Sequence, residues 1–353
     1  MSTRKSNKKN INSETKNNSK KNILIKKNKV KKINNKTIKI KKFCIKEQIF
    51  GLIELGRPIE WSKSLLNMFL AALMVFYVYN IFPEPLLFII GFLSVAFLWS
   101  GLYALNDYTD WKIDLLHETK KNRPIPSGKV TPKQGFVFSI CLILLSFLIP
   151  FFLGNFLLFL CLSAMLLNQL FYTMKPYRLK SRKVFDIVSG SMINPFFRYF
   201  SGIIIFVSLS KLLNNAFPIL PIIFVVGIQF SGYSLYRLFS KNHDKKVNMK
   251  SSVALLPEKL IKTISYSVLV LSIISYFLLL LNGLFFRFDF LGFLPPQYFL
   301  AIIIVALFVF AMPSLRNAII NPNNANMKTS YRLLYLMNIF FIVGNLIVFI
   351  LFR

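Results

Sequence analysis

The sequence predicts an all-α integral membrane protein with nine spanning helices and its chemistry gathered at one membrane face. Three observations carry that reading. Of the 353 residues, 55% are hydrophobic and 38 are phenylalanine, too apolar for an ordinary soluble chain. Apolar runs of about 20 residues, the length that crosses a bilayer as a helix, recur along the chain. The basic residues between these runs fall in alternate connections, as they do when Lys and Arg are retained on the cytoplasmic side.

The elements follow in order. Residues 1–44 are expected to form a disordered basic tail. Residues 1–46 hold 17 of the 44 basic residues and a single acid, Glu14. Such a stretch of Lys, Asn and Ser cannot bury enough apolar surface to offset its ordering entropy. Beside a membrane domain, the tail is expected against anionic headgroups rather than on nucleic acid. Residues 45–353 are the membrane domain, with apolar runs at 65–82, 86–106, 136–154, 155–175, 184–208, 216–237, 261–285, 297–314 and 331–352. The connections after the second, fourth, sixth and eighth runs are basic. They carry Lys120, Lys121 and Arg123, then Arg178, Lys180 and Arg182, then Lys241 and Lys245, then Arg316 and Lys328. The alternate connections hold little charge beyond Lys211 and Arg287. The amino terminus and the basic loops are therefore expected in the cytoplasm and the carboxyl terminus outside. Cys44, Cys141 and Cys161 show neither a disulfide framework nor metal-ligand spacing.

The acids need a separate account, because the chain has only 13. Three of them lie in "NDYTDWKID", residues 106–114, where the second run ends. If its helix continues past Asn106, then Asn106, Asp107, Asp110 and Asp114 fall at helical spacing on one side. Three neighbouring carboxylates repel one another unless cations sit among them. Magnesium is the natural cation, since it prefers oxygen ligands and bridges carboxylates to phosphate. The following "HETKKNRPIPSGK" supplies Lys120, Lys121 and Arg123, suited to the remaining charge of a diphosphate. A solvated helix end explains an isolated acid pair, but not this combination beside a basic Arg-Pro loop.

"NDYTDWKID" with "RPIPSG" resembles the first signature of the UbiA superfamily of intramembrane prenyltransferases, and the resemblance covers roughly residues 50–353. It implies a nine-helix bundle with a cytoplasm-facing active site. It also implies magnesium as cofactor and two substrates, one a polyprenyl lipid and one bearing a diphosphate. Asp107, Asp110 and Asp114 would be catalytic and hold the metal, Asn106 would complete the site, and Lys120, Arg123 and Lys180 would bind phosphate. The superfamily's second aspartate motif is eroded here. Tyr233 and Ser240 stand where its aspartates usually fall, Asp244 remains, and Arg237 and Lys241 lie nearby as further phosphate ligands. That departure, with "RPIEWSKS" at 57–64 and "RLKSRKVFDIVSG" at 178–190, resembles the decaprenyl-phosphate phosphoribosyltransferase branch.

The expected function therefore leans to phosphoribosyl transfer from phosphoribosyl pyrophosphate onto a polyprenyl phosphate. Transfer of a prenyl group from a polyprenyl diphosphate to an aromatic or lipid acceptor is the alternative, and a non-catalytic lipid-binding protein or transporter is a third reading. Arg198, inside the fifth run, is too costly to face lipid and is expected to meet an acid or a substrate phosphate. Lys63 is expected to snorkel at the membrane edge or to contact phosphate. For Asp186, at the start of the fifth run, helix capping competes with a catalytic role.

Overall fold

The computed structural model describes residues 44–115, 117, 119–214, 217–246, 248–321 and 327–352. Residues 45–353 form one compact unit, and the expectation for residues 1–44 lies outside the described residues, Cys44 apart. The fold is all-helical. Its main elements are α1 (Ile45–Gly56), α2 (Trp61–Tyr77), α3 (Pro85–Asp114), α4 (Pro132–Phe152), α5 (Phe156–Thr173), α6 (Phe185–Ser191) and α7 (Ile193–Ile204). They continue with α8 (Leu220–Leu238), α9 (Glu258–Phe285), α10 (Phe299–Ala311), α11 (Pro313–Ile320) and α12 (Met327–Phe352). Among the described residues, six stretches are long and apolar enough to cross a membrane: Ile45–Tyr77, Pro85–Asp114, Pro132–Phe152, Phe156–Thr173, Glu258–Phe285 and Tyr335–Phe352.

Local sequence sets the helix ends. α3 starts at Pro85, whose missing N–H costs nothing at the first helical position, and Glu84 accepts a hydrogen bond from the Leu86 amide at 2.9 Å. α4 starts at Pro132 under a capping box formed by Thr131 and Gln134. Asn155 caps α5, and its side-chain amide reaches across to the Ile204 carbonyl at 2.8 Å, tying the tight α4–α5 turn to the end of α7.

The fifth apolar run, expected as one helix over 184–208, is two helices that meet at Met192. Pro195 explains the break, because it has no amide to donate to the Ser191 carbonyl and its ring crowds that carbonyl. Backbone groups freed inside an apolar bundle must find partners. Asn168 and Asn194 both donate to the Ser189 carbonyl, at 2.9 and 3.3 Å, and Asn67 donates to the Pro195 carbonyl at 3.1 Å. The eighth run is likewise shorter than expected, since α10 ends before Pro313 and α11 begins there.

Two apolar cores flank this broken segment. One unites α2, α7, α8 and α9 around Tyr199, Phe224 and Tyr276, and the other unites α3, α4, α5 and α7 around Leu98, Leu102 and Leu162. α7 belongs to both. At Gly202 a β-carbon would lie 2.8 Å from the Met68 backbone, so only glycine lets α7 approach α2 this closely. That contact brings Arg198 to the polar start of α2.

Candidate active site

α3 runs unbroken to Asp114, so the acid motif stands on its last turns as the sequence implied. At 100° per residue, Asn106 to Asp114 fan over about 100° of the helix circumference. The acids therefore divide into two groups. Asp107 and Asp114 are nearly sealed, at 2% and 3% exposure, and both meet Arg123. One Arg123 guanidinium nitrogen donates to Asp107 at 2.9 Å and to Asp114 at 2.8 Å. Arg57 donates to the same Asp107 oxygen at 2.6 Å. On the other side, Lys180 donates to Asp110 at 2.6 Å and to the side-chain amide oxygen of Asn106 at 3.1 Å, while Arg178 reaches Asp110 at 3.2 Å.

Among the described residues no three His, Cys, Asp or Glu side chains group together as they would about one ion. Loop cations lie between the acids, and the fan keeps the two faces apart. The donor set nevertheless suits a hard divalent ion. It consists of carboxylate and amide oxygens, and two carboxylates already share one cation at Arg123.

Loop geometry delivers these cations. The tripeptide Arg-Pro-Ile occurs twice, at 57–59 and 123–125, and both of its arginines end on the same oxygen of Asp107. That repetition is the signal by which Arg57 could have been found from sequence. Arg57 and Arg178 both adopt left-handed backbone angles, φ 50° and 40°, just before short 3-10 turns. Lys120 faces Asp114 and Asp110 from the loop after α3, yet among the described residues no ion pair includes it. Burial pushes the Lys120 ammonium below the usual lysine range, and the charge of Arg123 adds to this. Burial lowers Lys180 as well, against the pull of Asp110.

Other expected residues lie elsewhere. Arg237 donates to Asp244 at 2.8 Å and to Asp186 at 3.4 Å. Ser251 also donates to Asp244, and the Ser252 amide donates to fully buried Asp186 at 3.1 Å. Asp186 therefore anchors the segment after α8, while Val184 is the residue that precedes α6 as its cap. Tyr233 shares a hydrogen bond with Tyr172. Lys241 pairs with Glu258 at the start of α9, at 3.0 Å, apart from the α3 acids. Lys63 bonds Glu60 at 3.1 Å and lies over the Tyr335 ring. Arg198 is 3% exposed; it stacks on Trp99 at 3.9 Å and donates to Gln229 at 3.3 Å, and among the described residues no ion pair includes it.

A helical bundle with an acid-rich helix end ringed by loop cations matches one family. The UbiA prenyltransferase family model aligns with residues 66–342. The chain belongs to the UbiA prenyltransferase family. It is accordingly a multi-pass integral membrane protein. The 4-hydroxybenzoate octaprenyltransferase of Yersinia pseudotuberculosis is 32% identical over 93 residues, 26% of this chain and 32% of that protein. The protoheme IX farnesyltransferase of Bartonella henselae is 33% identical over 104 residues, 30% of this chain and 32% of the other. The chain thus spans about a third of the length of the curated relatives it matches. Two solved structures share the UbiA fold at 18% identity. A UbiA homologue from Archaeoglobus fulgidus bound to DMAPP and Mg2+ superposes with a TM-score of 0.59, covering 84% of this chain and 98% of its own. The apo UbiA homologue from Aeropyrum pernix gives 0.64, covering 82% and 98%.

Proposed function

We propose that this chain transfers a prenyl group from a polyprenyl diphosphate to an acceptor inside the membrane. The observation that carries the reading is the charge balance at the end of α3. Five cations, Arg57, Arg123, Arg178, Lys180 and Lys120, surround three carboxylates, and among the described residues no ion pair includes Lys120. Such a surplus in a partly desolvated site calls for a multiply charged anion. Lys120, Arg123 and Lys180 take the phosphates, supported by Arg57 and Arg178. Asp107, Asp110 and Asp114, with Asn106, hold magnesium, which when bound neutralises charge on the departing diphosphate. Arg237 and Lys241, already committed to acids, secure the segment after α8.

The relatives named above support a prenyl donor rather than the phosphoribosyl donor towards which the sequence leans, and the prenyl alternative is the one adopted. The apolar runs are taken as nine crossings, with α6 and α7 together as the fifth. The basic loops, and the site with them, then face the cytoplasm.

The test incubates purified protein and magnesium with a polyprenyl diphosphate plus mixed acceptors, and in parallel with phosphoribosyl pyrophosphate plus a polyprenyl phosphate. Diphosphate release and lipid mass are followed together. A prenyl adduct in the first mixture is expected. A phosphoribosyl adduct confined to the second restores the other donor, and binding of a magnesium diphosphate without release in either points to a non-catalytic protein.

A further inference from the structure

The outward surface of α1 is not explained by the diphosphate site. It divides into two arcs. Ile45, Ile49, Phe50 and Ile53 are all between 50% and 77% exposed, and at 100° per residue they fall within about 140° of the helix circumference. Glu47 and Glu54 occupy the next arc, and Lys46 is the one charge among the apolar four. The remaining side faces the bundle, where Leu52 and Leu55 share an apolar cluster with Tyr108 and Trp111 of α3 and with Ile125 and Val130 of the loop after it.

No single solvent suits such a helix. In water the isoleucines and Phe50 form an uncovered apolar patch, and in hydrocarbon Glu47 and Glu54 are costly. The boundary between headgroups and acyl chains accepts both arcs at once. α1 also stands at that depth, because it packs on the turns of α3 that carry the acid motif, where the spanning helix gives way to charge. The sequence ahead of it decides which membrane. Residues 1–46 hold 17 of the 44 basic residues and one acid, and they run directly into the apolar arc. Anionic headgroups attract such a segment, and neutral ones do not.

α1 is tied to the α3 acids as well. Its last residue, Gly56, is followed by Arg57, which donates to Asp107 at 2.6 Å. Its flank bears on the loop that carries Arg123: a β-carbon at Gly51 would lie 2.8 Å from the Val130 side chain, and Lys129 pairs with Glu54 at 3.1 Å. Both arginines that meet Asp107 are therefore attached to α1, one through the chain and one through packing.

We propose that the apolar face of α1, with the basic segment before it, docks on anionic lipid headgroups, and that this docking sets Arg57 and Arg123 for the diphosphate. The second half rests on the diphosphate reading of the α3 site, whereas the docking itself is measured without it.

The experiment reconstitutes the full-length protein into nanodiscs of phosphatidylcholine, alone or mixed with phosphatidylglycerol. A fluorophore is attached at Ile49→Cys or, as the reference, at Glu54→Cys, with the exposed cysteines removed by Cys44→Ser and Cys141→Ser; Cys161 is buried. In the anionic discs, brominated acyl chains should quench the label at position 49 strongly and the label at 54 weakly. That contrast should shrink in neutral discs and at high salt. Affinity for geranyl diphosphate with magnesium should be about fivefold or more higher in the anionic discs, the factor one engaged lysine supplies, although their surface charge repels the ligand itself. The double variant Ile49→Glu, Phe50→Glu should lose both effects and keep the affinity seen in neutral discs, since both side chains are exposed. A label at 49 that aqueous iodide quenches instead, or that neither quencher reaches because protein covers it, overturns the proposal. So does quenching, or diphosphate affinity, that ignores the anionic lipid. Should the double variant not fold, the wild type across the two lipid mixtures still decides. Failure of the diphosphate reading looks different: it is no diphosphate binding in any disc, with the lipid-dependent quenching intact.

Discussion

Two clusters of acid and arginine hold the polar side of this bundle, and they are built on opposite charge balances. At the end of α3, four cations bond three carboxylates and a fifth, Lys120, faces them, and all five come from loops. After α8, one guanidinium meets two carboxylates, and Ser251 and Ser252 complete their hydrogen bonding. The first cluster has surplus charge and donors to offer a ligand. The second is closed on itself and joins α6, α8 and the segment before α9. On the proposed function, similar residues serve binding in one place and cohesion in the other, and what separates them is stoichiometry and the origin of the partners.

The sharpest way to break this contrast is Asp110→Ala. It removes an acid held only by loop cations, so turnover should fall by about a thousandfold or more, the scale of losing electrostatic stabilisation of a departing charged group. The melting temperature should stay close to wild type. Full activity in a folded variant, measured by diphosphate release, would remove the α3 acids from the chemistry. Arg237→Ala should do the reverse. It leaves Asp186 and Asp244 buried without their cation, a loss on the order of 3–5 kcal/mol. Thermal melting in detergent reads it, and a variant that melts normally yet binds diphosphate poorly would return Arg237 to the ligand site.

The sequence made the first cluster visible because its acids are local. Asp107, Asp110 and Asp114 share one helix, helical spacing places them, and α3 continues as far as the motif required. The basic partner Arg123 lies in the next loop. Arg57 and Arg178 are different: they reach their acids across 50 and 68 residues, a distance over which no periodicity carries information. Asp186 misled for the same reason. Its position near a helix start suggests capping, whereas its partners, Arg237 and Ser252, lie 51 and 66 residues away. The break in the fifth run was legible only in Pro195, because apolar composition is continuous through it. Residues at helical spacing share a side of the helix, yet three can still aim at different neighbours: Asp107 and Asp114 turn to Arg123, and Asp110 to Lys180.

Within the first cluster, pH sharpens the comparison further. Burial holds Lys120 and Lys180 below the usual lysine range, so each loses its proton at a lower pH than an exposed lysine would. Diphosphate binding favours the protonated form. Affinity is therefore full below the lowered value and declines as pH rises through it, by about tenfold per pH unit for one linked proton. Lys180→Arg keeps the charge at all these pH values and should move the alkaline limb upward. A limb that stays in place under Lys180→Arg and Lys120→Arg alike would show that the surplus charge does not hold the diphosphate.

Lys241 supplies the smallest effect and the control for the rest. It pairs with Glu258, both partners about a quarter to a third exposed. Exposed pairs contribute roughly 0–1 kcal/mol, because water screens the attraction and ordering two long side chains opposes it. Glu258 also keeps a second partner in Lys262 at 2.9 Å. Lys241→Ala should therefore shift the melting temperature slightly and leave diphosphate affinity unchanged. A marked loss of affinity would mean that the segment after α8 delivers charge to the α3 site, and the separation between a binding cluster and a cohesive one would no longer hold.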